Sequence, residues 1–218
     1  MTSGGSRAHD LGMSRWYFVL LLVGMALPAM GQSPSPKERN AQPNAFVLTI
    51  KTGDVKLADD SQTIGGNDWF FERSATDIAA IEGETRLGRG AENLSLGGEV
   101  LRYNNRFRLA SAPGAFAGTM YTRAFFAKSK YYFMPGSAWQ PYAGAGFGVV
   151  QAFDYSGPLH SAEGTGYQGV VGMQLRTERV GLRMEYLGLW ARIADDEGRK
   201  INLSSHGLFV GLSFFFGR

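Results

Sequence analysis

The sequence predicts an all-β fold, an eight-stranded antiparallel up-and-down transmembrane β-barrel that occupies residues 45–218. From residue 45 onward, apolar and polar residues alternate with a period of two, the period with which strand side chains change faces. The links between the alternating segments are by turns short and long, as in membrane barrels with tight turns at one end only. The eight predicted strands are residues 45–57, 74–86, 92–104, 116–133, 140–154, 165–177, 179–192 and 202–216. Each is longer than the about 9–11 residues that a tilted strand needs to cross a bilayer.

The first 31 residues are predicted to form a secretory signal peptide. Arg7 and Arg15 precede an apolar run that ends in a small-x-small cleavage pattern, Ala29-Met30-Gly31. The run of about fifteen residues is shorter than the roughly twenty that a membrane-spanning helix needs, so we favour a signal over an anchor. The sequence leaves open whether translation starts at Met1 or at Met13. Residues 32–44 contain three prolines and few apolar groups, which predicts a disordered leader.

Composition excludes several classes of function. With 22 Lys and Arg, 19 Asp and Glu and no basic cluster, the chain is too balanced for a nucleic-acid-binding protein. The chain contains no cysteine, although small secreted soluble domains often depend on disulfides, so we expect a membrane to stabilise it instead. Its three histidines form no zinc-binding pattern, and we expect neither a metal nor a cofactor.

The last predicted strand divides into two faces. Its lumenal face is expected to carry small or hydroxylic residues such as Ser205, Gly207 and Ser213. Its lipid face is expected to carry Leu208, Val210, Leu212, Phe214 and Phe216. The strand at residues 179–192 divides similarly, with Met184 and Tyr186 outward. Glycines at alternate positions of Gly144-Ala-Gly-Phe-Gly148 predict a bare strand face that a bulky neighbour can approach.

Two segments carry a resemblance to a known family. The end of the last strand, Gly211-Leu-Ser-Phe-Phe-Phe216, resembles the C-terminal insertion signal of bacterial outer-membrane barrels, which implies roles for Gly211, Phe214 and Phe216. Lys130-Tyr-Tyr-Phe133 and Gln140-Pro-Tyr-Ala-Gly-Ala-Gly-Phe-Gly148 resemble the equivalent hairpin of the small OmpA/OmpX/opacity-type barrels. The resemblance covers most of residues 45–216 and implies a location in the bacterial outer membrane. The even number of predicted strands places both chain termini in the periplasm. The implied partners are outer-membrane lipid, lipopolysaccharide and, during biogenesis, the barrel-assembly machinery, and we expect a monomer.

Charged residues at inward positions are predicted to form a lumenal charge network. An eight-stranded barrel has room inside for side chains or at most one small ligand, and unpaired buried charge is costly. We therefore expect these groups to pair, and we favour a structural plug over a proton or ion path. The ten residues are Lys51, Glu82, Glu84, Arg86, Glu99, Lys128, Lys130, Arg176, Arg183 and Glu185.

The outward residues near the two membrane surfaces are predicted to form aromatic girdles. The periplasmic girdle would contain Tyr131, Tyr132, Trp139, Tyr142 and Phe216, and the outer one Tyr103, Tyr121, Tyr155, Tyr167 and Trp190. Arginines near the outer rim are candidates for contact with lipopolysaccharide phosphates, with ordinary solvated arginine as the alternative. They are Arg102, Arg106, Arg123 and Arg192.

Three hypotheses for function remain: a structural or surface-interaction protein without turnover, a lipid A-modifying enzyme of the PagL deacylase type, and a soluble secreted barrel that holds an apolar ligand. The deacylase family has a His-x-Ser-Asn pattern on a lipid-facing strand, but the matching residues 186–193 contain neither His nor Ser, and no Ser follows in His206-Gly-Leu208. His160-Ser161-Ala162-Glu163 invites a catalytic interpretation, but neighbours on an extended chain point to opposite sides. The acidic run Asp195-Asp196-Glu197 is more typical of a solvated tip than of a cation site. We therefore favour the first hypothesis and predict no catalytic residues.

Overall fold

The computed structural model describes residues 46–57, 60–64, 67–87, 91–111, 114–154, 161–195 and 200–216. The predicted signal peptide and leader lie outside these residues. Within them, no helix has the length and hydropathy to cross a membrane. The strands are β1 Phe46–Leu57, β2 Asp60–Ile64, β3 Asn67–Arg86, β4 Leu94–Ser111, β5 Gly114–Tyr132, β6 Trp139–Asp154, β7 Ser161–Arg176, β8 Val180–Asp195, β9 Lys200–Asn202 and β10 Ser205–Phe216.

Eight long strands form a closed, fully antiparallel barrel in which neighbours in sequence are neighbours in space. The ring closes at β1, where Phe46 faces Phe216 of β10 on one side and Thr85 of β3 on the other. The short β2 and β9 pair with β3 and β8 and continue the first and last barrel strands at one end. The predicted eight-stranded up-and-down barrel is therefore confirmed, and closure leaves its long strands without free edges.

The two ends of the barrel differ. At one end, here called the turn end, short links join Arg86 to Leu94, Tyr132 to Trp139 and Arg176 to Val180. The opposite end is called the loop end. There the strands run further than the sequence predicted: β3 starts at Asn67 and β4 ends at Ser111, although residues 58–73 and 105–115 were expected to be loops. The reason is that a hairpin outside the hydrocarbon needs no apolar face, so its sequence lacks the alternation that marks a half-buried strand.

The outward face of the barrel is apolar around its middle. In β10 burial alternates residue by residue, with Phe209 fully buried and Leu208 half exposed. Large apolar side chains on every long strand are about half exposed in the same way, including Ile50, Ile81, Val100, Phe125, Phe147, Val171, Met184 and Leu208. A barrel folded in water would bury these groups, so their exposure as a continuous belt argues against the soluble alternative.

The lumen has two tiers. Along the inward face of β8, Arg183 and Glu185 near the turn end give way to Leu187, Leu189 and Ile193 toward the loop end, and all five are buried. The apolar tier continues around the barrel with Leu101, Tyr103, Phe126, Val150, Leu203 and Phe209. A buried hydrogen bond from Asn105 to Thr122 (2.9 Å) lies among them. The polar lumen that we expected therefore fills only the half nearer the turn end. The half nearer the loop end is apolar because apolar residues occupy the inward positions of the strands there.

Glycines on β6 make room for long side chains from β5. A Cβ added at Gly144 would lie 2.7 Å from Lys130 Cγ, and one at Gly146 would lie 3.0 Å from Lys128 Cγ. The register places each glycine directly opposite the lysine that it accommodates. A Cβ at Gly148 would overlap the carbonyl oxygen of Phe125, which is part of the backbone and cannot rotate away.

We expect Gly148→Ala to lower the free energy of unfolding by about 1–3 kcal/mol, because β5 and β6 must separate to admit the methyl group. Gly98→Ala is the matched control, since its Cβ would meet nothing closer than 3.6 Å, and it should unfold like the wild type. The measurement is a urea titration of protein folded in lipid vesicles, scored by heat-modifiable migration on gels. Equal urea midpoints for the two variants would contradict the prediction.

Candidate functional site

The charged tier is centred on the ammonium group of Lys51. Its Nζ donates to Glu82 Oε2 at 2.8 Å, to Glu185 Oε1 at 2.5 Å and to Glu99. The three carboxylates come from β3, β8 and β4, and all four groups are buried. An ammonium has three hydrogen-bond donors, so the site uses the full capacity of Lys51.

Two further lysines bridge carboxylates of this cluster, which also includes Glu84 of β3. Lys128 Nζ lies 2.9 Å from Glu82 Oε2 and 3.0 Å from Glu99 Oε2. Lys130 binds Glu82 and lies 3.3 Å from Glu84 Oε2. Each of these cations thus joins two carboxylates, and most of the carboxylates are shared between cations.

Arg183 spans two adjacent carboxylates of β3 with its planar guanidinium. Nη1 lies 2.6 Å from Glu82 Oε1, and Nη2 lies 2.7 Å from Glu84 Oε1 and donates to Gln174 Oε1 at 2.7 Å. The fixed fork of donors suits this arrangement, which an ammonium could not reproduce. Arg183 is completely buried, so its charge is balanced entirely within the lumen.

Neutral side chains donate further hydrogen bonds to the carboxylates. Tyr132 OH donates to Glu84 Oε1 at 2.6 Å, and Tyr142 OH donates to Glu185 Oε2 at 2.7 Å. Gln168 Nε2 donates to Glu99 Oε1 at 2.6 Å. Buried polar clusters stabilise a fold only when their members are satisfied, and this one largely meets that condition.

Eight of the ten predicted lumenal residues therefore form one cluster, with four cations and four anions. We call it the charge network: Lys51, Lys128, Lys130, Arg183, Glu82, Glu84, Glu99 and Glu185. The other two lie nearer the turn end. Arg86 donates to Gln140 and stacks 4.1 Å from the Tyr132 ring centroid, and Arg176 stacks 4.5 Å from that of Phe215.

Three carboxylates of the charge network are close enough to resemble the donor set of a metal site, since Glu82, Glu99 and Glu185 offer oxygens within 4.8 Å of one another. Lys51 Nζ binds all three of them. The position that a cation would take is thus filled by the protein's own ammonium group, which supports a structural use of these oxygens.

Three tyrosines were assigned wrongly from the sequence. Tyr132 and Tyr142 were expected in the periplasmic girdle, but both are buried and bind the charge network. Tyr103, expected in the outer girdle, is buried as well. The position of Tyr132, two residues after the inward Lys130, was the available signal. Of the predicted girdle residues that the structure describes, those exposed are Tyr131, Trp139 and Phe216 at the turn end and Tyr167 and Trp190 toward the loop end.

The C-terminal segment has a packing role that the sequence did not reveal. Gly211 faces the lumen, and a Cβ there would lie 2.7 Å from Lys51 Cγ. Phe214 and Phe216 are on the outward face. Gly211 thus provides the space that Lys51 needs, and the insertion signal remains a prediction.

The four rim arginines are all exposed on the outward face. Arg102 and Arg123 lie directly opposite each other on β4 and β5, and both contact Tyr121. Arg106 faces Thr119, and Arg192 faces Thr165.

The residues considered for catalysis are scattered. Ser161 and Glu163 are exposed at the start of β7, and His206 is exposed with its ring 6.1 Å from that of Tyr186. His160, Tyr155, Asp196 and Glu197 lie outside the described residues.

A closed eight-stranded barrel with an apolar belt outside and paired charges inside is a transmembrane β-barrel of the bacterial outer-membrane class. The structure is similar to the outer membrane protein OprG from Pseudomonas aeruginosa, with a TM-score of 0.58 and 14% identity over 83% of this chain and 99% of that one. It is also similar to Neisserial surface protein A, with a TM-score of 0.57 and 19% identity over 79% of this chain and 99% of that one. No protein-family model matches the sequence, and no curated protein matches it. At such low identity the two structures support the fold and carry no residue roles.

We expect Lys51→Met to lower the free energy of unfolding by about 3–5 kcal/mol, because three buried carboxylates lose their shared counter-ion. Lys56→Met is the matched control on the same strand, since Lys56 is exposed on the outward face, and its urea midpoint should not change. Adding Glu185→Gln to Lys51→Met should restore part of the loss by removing one of the unbalanced charges. Indistinguishable midpoints for the Lys51 and Lys56 variants would show that the charge network does not stabilise the barrel.

Proposed function

We propose that the chain is an integral outer-membrane protein with a structural or surface-interaction role, and that it neither conducts ions nor catalyses a reaction. The turn end would face the periplasm and the loop end the exterior. The observation that carries this proposal is the closed lumen, whose inward side chains are almost completely buried in both tiers.

Each tier would block the passage of a different class of solute through the lumen. An ion entering from the turn end meets the charge network, in which cations and carboxylates already neutralise one another. It then meets the apolar tier, where Leu101, Leu189 and Phe209 are buried and a dry constriction blocks ions by dewetting. An apolar solute would have to displace buried ion pairs, which leaves charges without partners.

The enzyme hypothesis has less support. Among the described residues, most of the charged side chains that point inward bind one another, and they face away from lipid and solvent. A lipid-modifying enzyme needs its nucleophile and base on the outward face, within reach of a lipid. The exposed His206 stacks on Tyr186 there. The exposed Ser161 is far from it, because His206 aligns through Gly188 with Gly169, eight residues along β7 from Ser161.

The partners follow from the location. Outer-membrane lipid and lipopolysaccharide would contact the apolar belt and the rim arginines. The barrel-assembly machinery would recognise Gly211, Phe214 and Phe216 during biogenesis, and the monomeric barrel would use its loop-end hairpins for contacts outside the cell. The long β3, β4 and β5 support such a role because they extend the hairpins at that end.

We expect the full chain, folded in planar lipid bilayers, to show no stable conductance steps in concentrated potassium chloride. The physical reason is that the apolar tier offers no hydrated path. Heat-modifiable migration of the same sample would establish that the barrel has folded. Regular steps that scale with the amount of folded protein would overturn the closed-lumen proposal.

We also expect lipid A to keep all its acyl chains when purified lipopolysaccharide is incubated with the folded protein and analysed by mass spectrometry. The reason is the separation of the exposed Ser161 and His206: His206 pairs with Gly188, and Gly188 pairs with Gly169, which is eight residues from Ser161 along β7. If the wild type removes an acyl chain and the Ser161→Ala variant does not, the result would instead favour the enzyme hypothesis.

A further inference from the structure

Two arginines face each other on the outward surface of β4 and β5. Arg102 and Arg123 are direct partners in the antiparallel register, and both are exposed. Like charges directly opposite each other destabilise a strand pair. An anion placed between the two guanidinium groups would relieve this repulsion, and both groups are accessible from outside the barrel.

Tyr121 holds both guanidinium groups in place. The Cζ atoms of Arg102 and Arg123 lie 5.0 and 5.1 Å from its ring centroid, and Arg123 Nε donates to its hydroxyl at 3.1 Å. Although Tyr121 is on the outward face, only 9% of its surface is exposed. A guanidinium over an aromatic ring is attracted to the ring electrons, so the two cations are preorganised on one platform.

The arginines stand where the apolar belt ends. Two residues nearer the turn end, Val100 and Phe125 face each other, and they are 43% and 46% exposed. The next outward residues toward the loop end on β4 are Asn104 and Arg106, which are polar. The paired cations therefore lie at the boundary between hydrocarbon and water, directly above an apolar surface that an acyl chain can cover.

We propose that Arg102, Arg123 and Tyr121 form a clamp for one phosphate group of lipid A, with an acyl chain of the same lipid on Val100 and Phe125. The inference rests on the proposed function, since it requires the loop end to face the outer leaflet. A phosphate carries the charge that two arginines neutralise, and guanidinium groups bind its oxygens with paired hydrogen bonds. Binding also removes the repulsion between the two arginines.

The other rim arginines provide the comparison. Arg106 and Arg192 are exposed and outward like the clamp residues, but each faces a threonine. They contribute positive charge at the rim without a second cation opposite them. Removing them tests for general attraction to an anionic surface.

The experiment measures binding of bisphosphorylated lipid A to the full chain, folded in phosphatidylethanolamine vesicles, by displacement of a fluorescent lipid A. We expect Arg102→Gln with Arg123→Gln to weaken binding by about tenfold or more, the loss of roughly one charge-assisted contact. Arg106→Gln with Arg192→Gln, which removes the same charge, should weaken binding by less than about twofold. Tyr121→Leu should weaken binding without any change in charge, because the two guanidinium groups lose their platform. Heat-modifiable migration establishes that each variant is folded.

Three results would overturn the clamp: equal losses in the two double variants, equal binding of lipid A stripped of its phosphates, and equal binding of phosphatidylglycerol. The last result would point to any anionic lipid rather than lipid A. Failure of the clamp in a protein that still folds, stays non-conducting and leaves lipid A intact would not affect the proposed function. Conductance or turnover by the wild type would refute the proposed function directly.

Discussion

Two of the three bonds between Lys51 and carboxylates connect strands that the backbone hydrogen bonds do not. Strand hydrogen bonds join neighbours only, whereas Lys51 on β1 binds Glu99 on β4 and Glu185 on β8 across the lumen. β1 also closes the ring by pairing with β3 and β10. The strand that closes the barrel is therefore the one that Lys51 links to carboxylates across the lumen. A buried cluster of this kind is stable only when its charges balance, and the four cations and four carboxylates do so.

Balance alone is not enough, because the interior of an eight-stranded barrel is narrow. The long cationic side chains fit where the residue paired with them on the adjacent strand is a glycine. Lys128 and Lys130 face Gly146 and Gly144, and Lys51 faces Gly211. The alternating glycines of β6 and the alternating lysines of β5 are therefore two parts of one packing arrangement. A change on either strand acts on the same ion pairs.

The sequence allowed the fold and the inward residues to be predicted because both depend on a period of two. Inward parity alone identified Lys51, Glu82 and Arg183, yet it could not pair them: Lys51 and Glu185 are 134 residues apart and meet only through closure. The apolar tier was missed because an apolar inward position resembles an outward one in sequence. The loop-end hairpins were missed because strands in water lose the alternating pattern. Tyr132 and Tyr142 were assigned wrongly because aromatic residues near strand ends suggested a girdle.

The order of the two tiers bears on where recognition takes place. In the proposed function the charge network would exclude apolar solutes, since entry would separate its ion pairs, and the apolar tier would exclude ions, since it offers no hydration. With both classes of solute excluded, the lumen would serve neither as a route nor as a reactive site. Selective contacts would then be made by the outward surface and the loop-end hairpins. On the outward surface, the Arg102–Tyr121–Arg123 arrangement combines repelling charges with an aromatic platform, and an external anion relieves that repulsion.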